Sequence, residues 1–240
     1  MNVSPKSAFL FGVLIVFATA ASAQRYRAKG MKGRNVDTLF AFAPISRIAF
    51  FNGDTATTDF TSDSLSAQGR AALQSVMQSE GRRMRMSPVY ITQDTALQSR
   101  ITAESFALME AASRKHYDGV VPITPVIDSI TKSQGLRFAL CTAHYGFTHN
   151  KAGIKDARRA AFRESLRRYW GLIGLEAIYS LSGIAVFILD TEQHRAVYFK
   201  TDTYTDAYNT AFDPGAMPIL RRQWLRAFHQ FYWLTPQDML

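Results

Sequence analysis

Five histidines, His116, His144, His149, His194 and His229, and one cysteine, Cys141, are the side chains that metal or acid–base chemistry would draw on. Cys141, His144 and His149 lie close enough in sequence to suggest a shared ligand set. Successive side chains of a strand alternate between faces, so separations of three and five put Cys141 and His144, and then His144 and His149, on opposite sides. A fold-back beyond Phe147 is the one geometry that reunites them, and no metal site is expected. Asn52, Asp54, Asp59 and Asp63 follow a first strand, where ligands of open α/β sheets bind. Their spacing does not match a calcium loop, and turns and helix caps favour the same residues. With His116 or His144 as base, this loop would make an envelope hydrolase, the alternative to a binding function. The chain has no G-x-S-x-G, H-E-x-x-H, P-loop or G-x-G-x-x-G, and no serine in a context that nominates a triad. No catalytic residue is assigned and no cofactor is expected.

The stretch 149–181 carries a different chemistry. Lys151, Lys155, Arg158, Arg159, Arg163, Arg167 and Arg168 are relieved only by Asp156 and Glu164, and Tyr169, Trp170 and a glycine-containing apolar run follow at once. Basic residues bordered by an aromatic belt suit an anionic interface. Lys155, Arg158, Arg159, Arg163, Arg167, Arg168, Tyr169 and Trp170 are therefore the candidate binding residues. Two other readings stand beside this one. In the first, the stretch is a solvent-facing helix whose Phe162, Leu166 and Tyr169 pack on the domain. In the second, 169–189 is one membrane-spanning helix, against which Glu176 and the β-rich run 186–189 both count.

These groups need a scaffold, and the pattern supplies one. The apolar run 184–189 has the length and β-branched content of a strand buried on both faces. A polar loop at 191–194 then leads into 195–203, whose alternation predicts an antiparallel neighbour with one wetter face. Strands are also predicted at 45–51 and 136–147, with brief ones at 88–92 and 120–123. The spacing predicts helices over 64–80, ended by Gly81, and 102–116, with Glu104 in its first turn. One or two helical turns fit 126–132, and an amphipathic helix buries Leu220, Trp224, Phe228 and Phe231 before ending near Trp233. The order predicts an α/β fold: a mixed sheet flanked by helices, with a closing antiparallel hairpin and a C-terminal amphipathic helix.

Lys6, the apolar run 8–18 and Ala21-Ser22-Ala23 together read as a secretory leader cleaved after Ala23. The protein is thus expected in the periplasm or outside the cell, and no cysteine follows to accept an acyl chain. The leader holds one lysine and no acid, so the mature net charge falls from +9 to +8. That excess favours anionic partners, which in the envelope means lipid or glycan rather than nucleic acid. A lone cysteine excludes an intramolecular disulfide framework. The organisation read from the chain is a leader at 1–23, a basic arm at 24–44 and a single α/β domain at 45–240 with the insertion 149–181. The arm carries Arg25, Arg27, Lys29, Lys32 and Arg34, and reads as a solvated leader or an electrostatic tether.

The run LRFALCTAHYG at 136–146, then His149-Asn150-Lys151, the basic insertion, IAVFILDTEQHRAVYFK at 184–200 and the final helix form a pattern. It resembles small secreted proteins of unknown function from Bacteroides-like bacteria. More distantly it resembles the α/β periplasmic domain of curli-secretion lipoproteins and of lipoprotein activators of penicillin-binding proteins. The resemblance implies a non-enzymatic envelope protein that binds a protein partner or an anionic membrane surface, with no catalytic residue carried over. The missing acylated cysteine is a departure from both lipoprotein groups. Oligomeric state is not set by the sequence.

Overall fold

The computed structural model describes residues 25–51, 61–114, 121–169, 178–205 and 211–232. The leader, the acidic-loop positions Asn52, Asp54 and Asp59, the helix stop at 117–119, His116 and the apolar run from Trp170 lie outside the described residues.

The sheet is built around β5 (Ser180–Asp190), every residue of which is buried. A strand covered on both faces is apolar through its middle, as residues 184–189 are, while its buried polar residues Ser180, Ser182 and Asp190 are each hydrogen-bonded. It pairs antiparallel on one side with β4 (Phe138–His149) and on the other with β6 (Arg195–Thr205). The hairpin turn is held by Asp190, whose Oδ1 accepts from the backbone N–H groups of Glu192 and Gln193. The same buried carboxylate takes a two-pronged contact from Arg137, at 3.1 and 2.7 Å. The expected wetter face of β6 is dry at Ala196, Val197, Tyr198 and Phe199. A bulge opposite Ile188 and Leu189 breaks the alternation, and the C-terminal helix covers one side.

Two further strands, β2 (Leu39–Ala41) and β3 (Ile45–Phe51), run in series along the outer edge of β4, both parallel to it. The register slips by one residue between them, at Phe42, Ala43 and Pro44, where proline has no N–H to offer a ladder. At the opposite edge β1 (Arg25–Arg27) pairs antiparallel with β6. The basic arm read at 24–44 thus contains β1 and β2, and β1 lies within its most basic part, 24–34. The predicted strands at 88–92 and 120–123 are single bridges, Phe42 with Tyr90 and Pro122 with Arg195.

Helices lie on both faces. Helix α1 (Asp63–Glu80) is capped by Ser62, and with α5 (Met217–Tyr232) it buries Leu73, Val76, Met77, Trp224 and Phe228 against one face. Helices α2 (Thr95–Arg114) and α3 (Pro125–Ser133) bury Ile101, Leu108, Met109 and Ile127 against the other. Helix α1 ends at Glu80 with Gly81 at its C-cap, as the sequence predicts, and the chain goes on as a short 3₁₀ turn to Arg85, which takes the left-handed backbone at φ 51°. Helix α2 starts seven residues earlier than the spacing predicts, because Asp94 caps it through the N–H groups of Ala96 and Leu97. Glu104 consequently sits inside α2, and its carboxylate accepts from Val126 and Ile127 at the start of α3. It serves a helix N-terminus, but that of the next helix. Among the described residues no helix is long and apolar enough to cross a membrane, and the residues read as the end of such a span form β5.

Candidate docking helix

The insertion joins β4 to β5 at one end of the sheet, and its described part is α4 (Lys151–Tyr169). Three contacts fix where it starts. Asn150 donates its backbone N–H to the Phe51 carbonyl and accepts from the Gly153 N–H through Oδ1 at 2.9 Å, capping the helix. Gly153 lets the first turn lie against β3, since a Cβ there would stand 2.4 Å from the Phe51 carbonyl oxygen. Beneath this turn Phe51 stacks on His149 at 4.7 Å, and His149 Nδ1 meets the Tyr179 carbonyl at 2.7 Å. One turn further, Arg158 Nε donates to Tyr179 Oη at 2.8 Å while its guanidinium lies 5.5 Å from the same ring.

The inward side of α4 is made of small residues. Gly153, Ala157, Ala161 and Ser165 recur at every fourth position, the first and last buried and the middle two half-buried. The large apolar residues face the other way: Phe162 is 64% exposed and Leu166 47%. The expectation that they pack on the domain is therefore corrected, and the physical reason is the small inward stripe, which lets the helix approach closely without them. Lys155, Arg159, Phe162 and Leu166, at spacings of four, three and four, form one outward stripe. Arg163 is exposed beside it.

The candidate cations are not equivalent. Arg167 is held by Glu164 at 3.0 and 2.9 Å, a contact that raises its already high pKa and uses its fork. Arg158 is committed to Tyr179. Arg159 has a long contact of 3.6 Å with Asp156, and Arg163 Nε reaches the Arg159 carbonyl at 3.4 Å. Lys151, Lys155 and Arg163 have no carboxylate partner among the described residues. The side chains of Arg168 and Tyr169, and all of Trp170, lie outside the described residues.

The histidine reading resolves by face. Cys141 is buried in the α2 and α3 core, and burial pushes its thiol up to about 12. His144 points into the opposite layer, 1% exposed, with Nδ1 3.0 Å from Ser46 Oγ and Nε2 3.4 Å from Ser182 Oγ. Ser182 Oγ also lies 2.8 Å from the Pro214 carbonyl and 2.9 Å from Gln223 Oε1, and Gln223 Nε2 donates to the carbonyls of Ser182 and Asp202. This polar seam joins β3, β4, β5 and α5. Gly69 of α1 closes it, since a Cβ there would come within 2.7 Å of His144 Nδ1. Burial lowers the imidazole to a pKa of about 4, and both His144 and Ser182 are shut off from solvent. The pair has the residue types of a hydrolase without the access. Asp63, the described end of the acidic loop, is the exposed first residue of α1.

No family model matches the chain, and no curated protein matches it. Among solved structures it is similar to the PelC dodecamer from Paraburkholderia phytofirmans in two crystal forms. The first is 10% identical over 88% of this chain and 97% of that one, TM-score 0.37; the second is 11% identical over 88% and 96%, TM-score 0.35. It is also similar to the LpoB C-terminal domain from Salmonella enterica, 5% identical over 75% of this chain and 88% of that one, TM-score 0.28. The last is a penicillin-binding-protein activator, one of the lipoprotein groups the sequence resembles; the Bacteroides-type proteins have no counterpart among these matches. Likenesses at these scores carry no argument about what this chain binds.

Proposed function

We propose that this is a non-catalytic cell-envelope protein that docks on an anionic surface through the outer face of α4. The observation that supports this is the orientation of the helix: it turns Lys155, Arg159, Phe162 and Leu166 to solvent together, with Arg163 beside them. The helix carries seven basic and two acidic side chains, and the acids are matched to Arg159 and Arg167. The envelope location rests on the leader read at 1–23. A protein of this kind holds its binding helix on the sheet through Asn150, Gly153 and Arg158 and spends the remaining cations on its ligand.

Replacing Lys155, Arg159 and Arg163 by glutamine tests the reading. Each basic residue at an anionic surface contributes about 1 kcal/mol, so the triple variant should bind phosphatidylglycerol vesicles roughly a hundredfold more weakly at low salt. All three side chains are exposed, so its circular dichroism should match the parent's. Undiminished binding contradicts the proposal.

A further inference from the structure

We infer that the surface α4 meets is the headgroup boundary of an anionic bilayer, with Phe162 and Leu166 entering it as a wedge. This rests on the docking reading and goes further by naming the ligand. A soluble polyanion presents charge and no apolar phase, and electrostatics leaves Phe162 at 64% and Leu166 at 47% exposure without a role. A bilayer offers both, in the right order, with phosphates outermost and hydrocarbon just beneath.

The placement of the cations agrees with that order. Phe162 and Leu166 are one turn apart, so their side chains lie next to each other along the helix axis and define a line parallel to it. Arg159 and Arg163 bracket Phe162, and Lys155 extends the same stripe toward the N-terminus. Long cationic stems lie along apolar surface while their heads stay at the phosphates, so this ring can remain in the headgroup layer while the wedge goes deeper. Cations stand along the whole length of the helix, so its attraction to a charged plane is spread over all its turns. At 19 residues it is about 28 Å long, and a planar ligand engages that length without a matching groove. The anchoring of its first two turns through Asn150, Gly153 and Arg158 fixes which side faces outward before any ligand arrives.

The test sets three variants, the triple-glutamine protein among them, against three probes: phosphatidylglycerol vesicles, dextran sulfate and polyglutamate. Phe162→Ser with Leu166→Ser should weaken vesicle binding roughly tenfold to a hundredfold, the loss of two apolar side chains that the bilayer would partly bury, and leave dextran sulfate binding unchanged. Phe162→Trp should show a blue-shifted emission, relative to the parent, on vesicles and not with dextran sulfate. If the double-serine variant binds vesicles as the parent does, while the triple-glutamine variant does not, the wedge is wrong and the docking helix stands. If neither variant loses binding, both readings fall. Binding to polyglutamate without binding to vesicles points to an acidic protein partner and overturns the bilayer assignment.

Discussion

Trp224→Ala unfolds at a urea midpoint corresponding to about 3–5 kcal/mol less stability than the parent, the range for deleting a large aromatic side chain from a core. Trp224 is fully buried on the inner face of α5, 4.7 Å from Phe228 between ring centroids, and belongs to the core that α5 and α1 make against the sheet. Its removal opens a cavity where the rigid frame of β5 and β6 cannot collapse inward, so the full cost is paid. The indole Nε1 has no hydrogen-bond partner among the described residues, so it adds a desolvation cost that the ring's packing outweighs. Trp224→Phe keeps most of the volume and removes that donor, and should cost less than half as much. Domains of this kind have about 5–15 kcal/mol to lose, which makes the alanine variant marginal at 37 °C. An alanine variant as stable as its phenylalanine counterpart would show that α5 does not form the core described.

The second large effect is on acid stability. His144 has a folded-state pKa of about 4 against 6.5 for the free side chain, because burial penalises its charged form. A group whose pKa is depressed on folding lets the unfolded chain bind the proton first. Its contribution is complete above pH 6.5 and is lost as pH falls from 6.5 toward 4, on the order of 3 kcal/mol in all. The charged and titratable groups around the seam are few. Asp202, raised by burial and moderated by Arg226 and Lys200, has the opposite sign: the folded protein holds its proton more readily, which offsets part of the loss at the acid end. His149, lowered by burial at the base of α4, adds to it. His144→Gln keeps a polar group facing Ser46 and Ser182 and has no proton to take up. Its stability should fall less between pH 7 and pH 4.5 than the parent's, measured by urea midpoints at both values. Equal slopes for parent and variant would place the acid sensitivity elsewhere.

Much of this fold is legible in the sequence where one face or both must be apolar. The runs at 136–147 and 184–189 declare buried strands, and the stripe Leu220, Trp224, Phe228 and Phe231 declares the helix that covers them. Strand β1 escapes notice because its three residues, Arg25 to Arg27, give no period to read. Glu104 shows that a capping carboxylate can be recognised while its helix is not: its partners lie 22 and 23 residues away. The seam around His144 is invisible for the same reason, since Ser46, Ser182 and Gln223 come from three elements far apart in the chain.

Helix α4 is half legible. Its basic residues and their bordering aromatics stand out by composition, but the direction of Phe162 and Leu166 does not follow from an apolar count. The signal that settles it is the small stripe Gly153, Ala157, Ala161 and Ser165, which marks the closely packed side and leaves the bulky residues outside. Read in that order, the exposed pair follows from the glycine that the Phe51 carbonyl requires.

The measurement that bears most directly on the docking surface is co-sedimentation of residues 24–240 with phosphatidylglycerol-containing and with neutral phosphatidylcholine vesicles, at low and at moderate salt. Exposed cations are screened within about 8–10 Å near physiological ionic strength, so binding should be confined to the anionic vesicles and weaken as salt rises. Binding to both kinds of vesicle alike would contradict the electrostatic docking surface, and binding to neither at low salt would contradict its assignment to a bilayer.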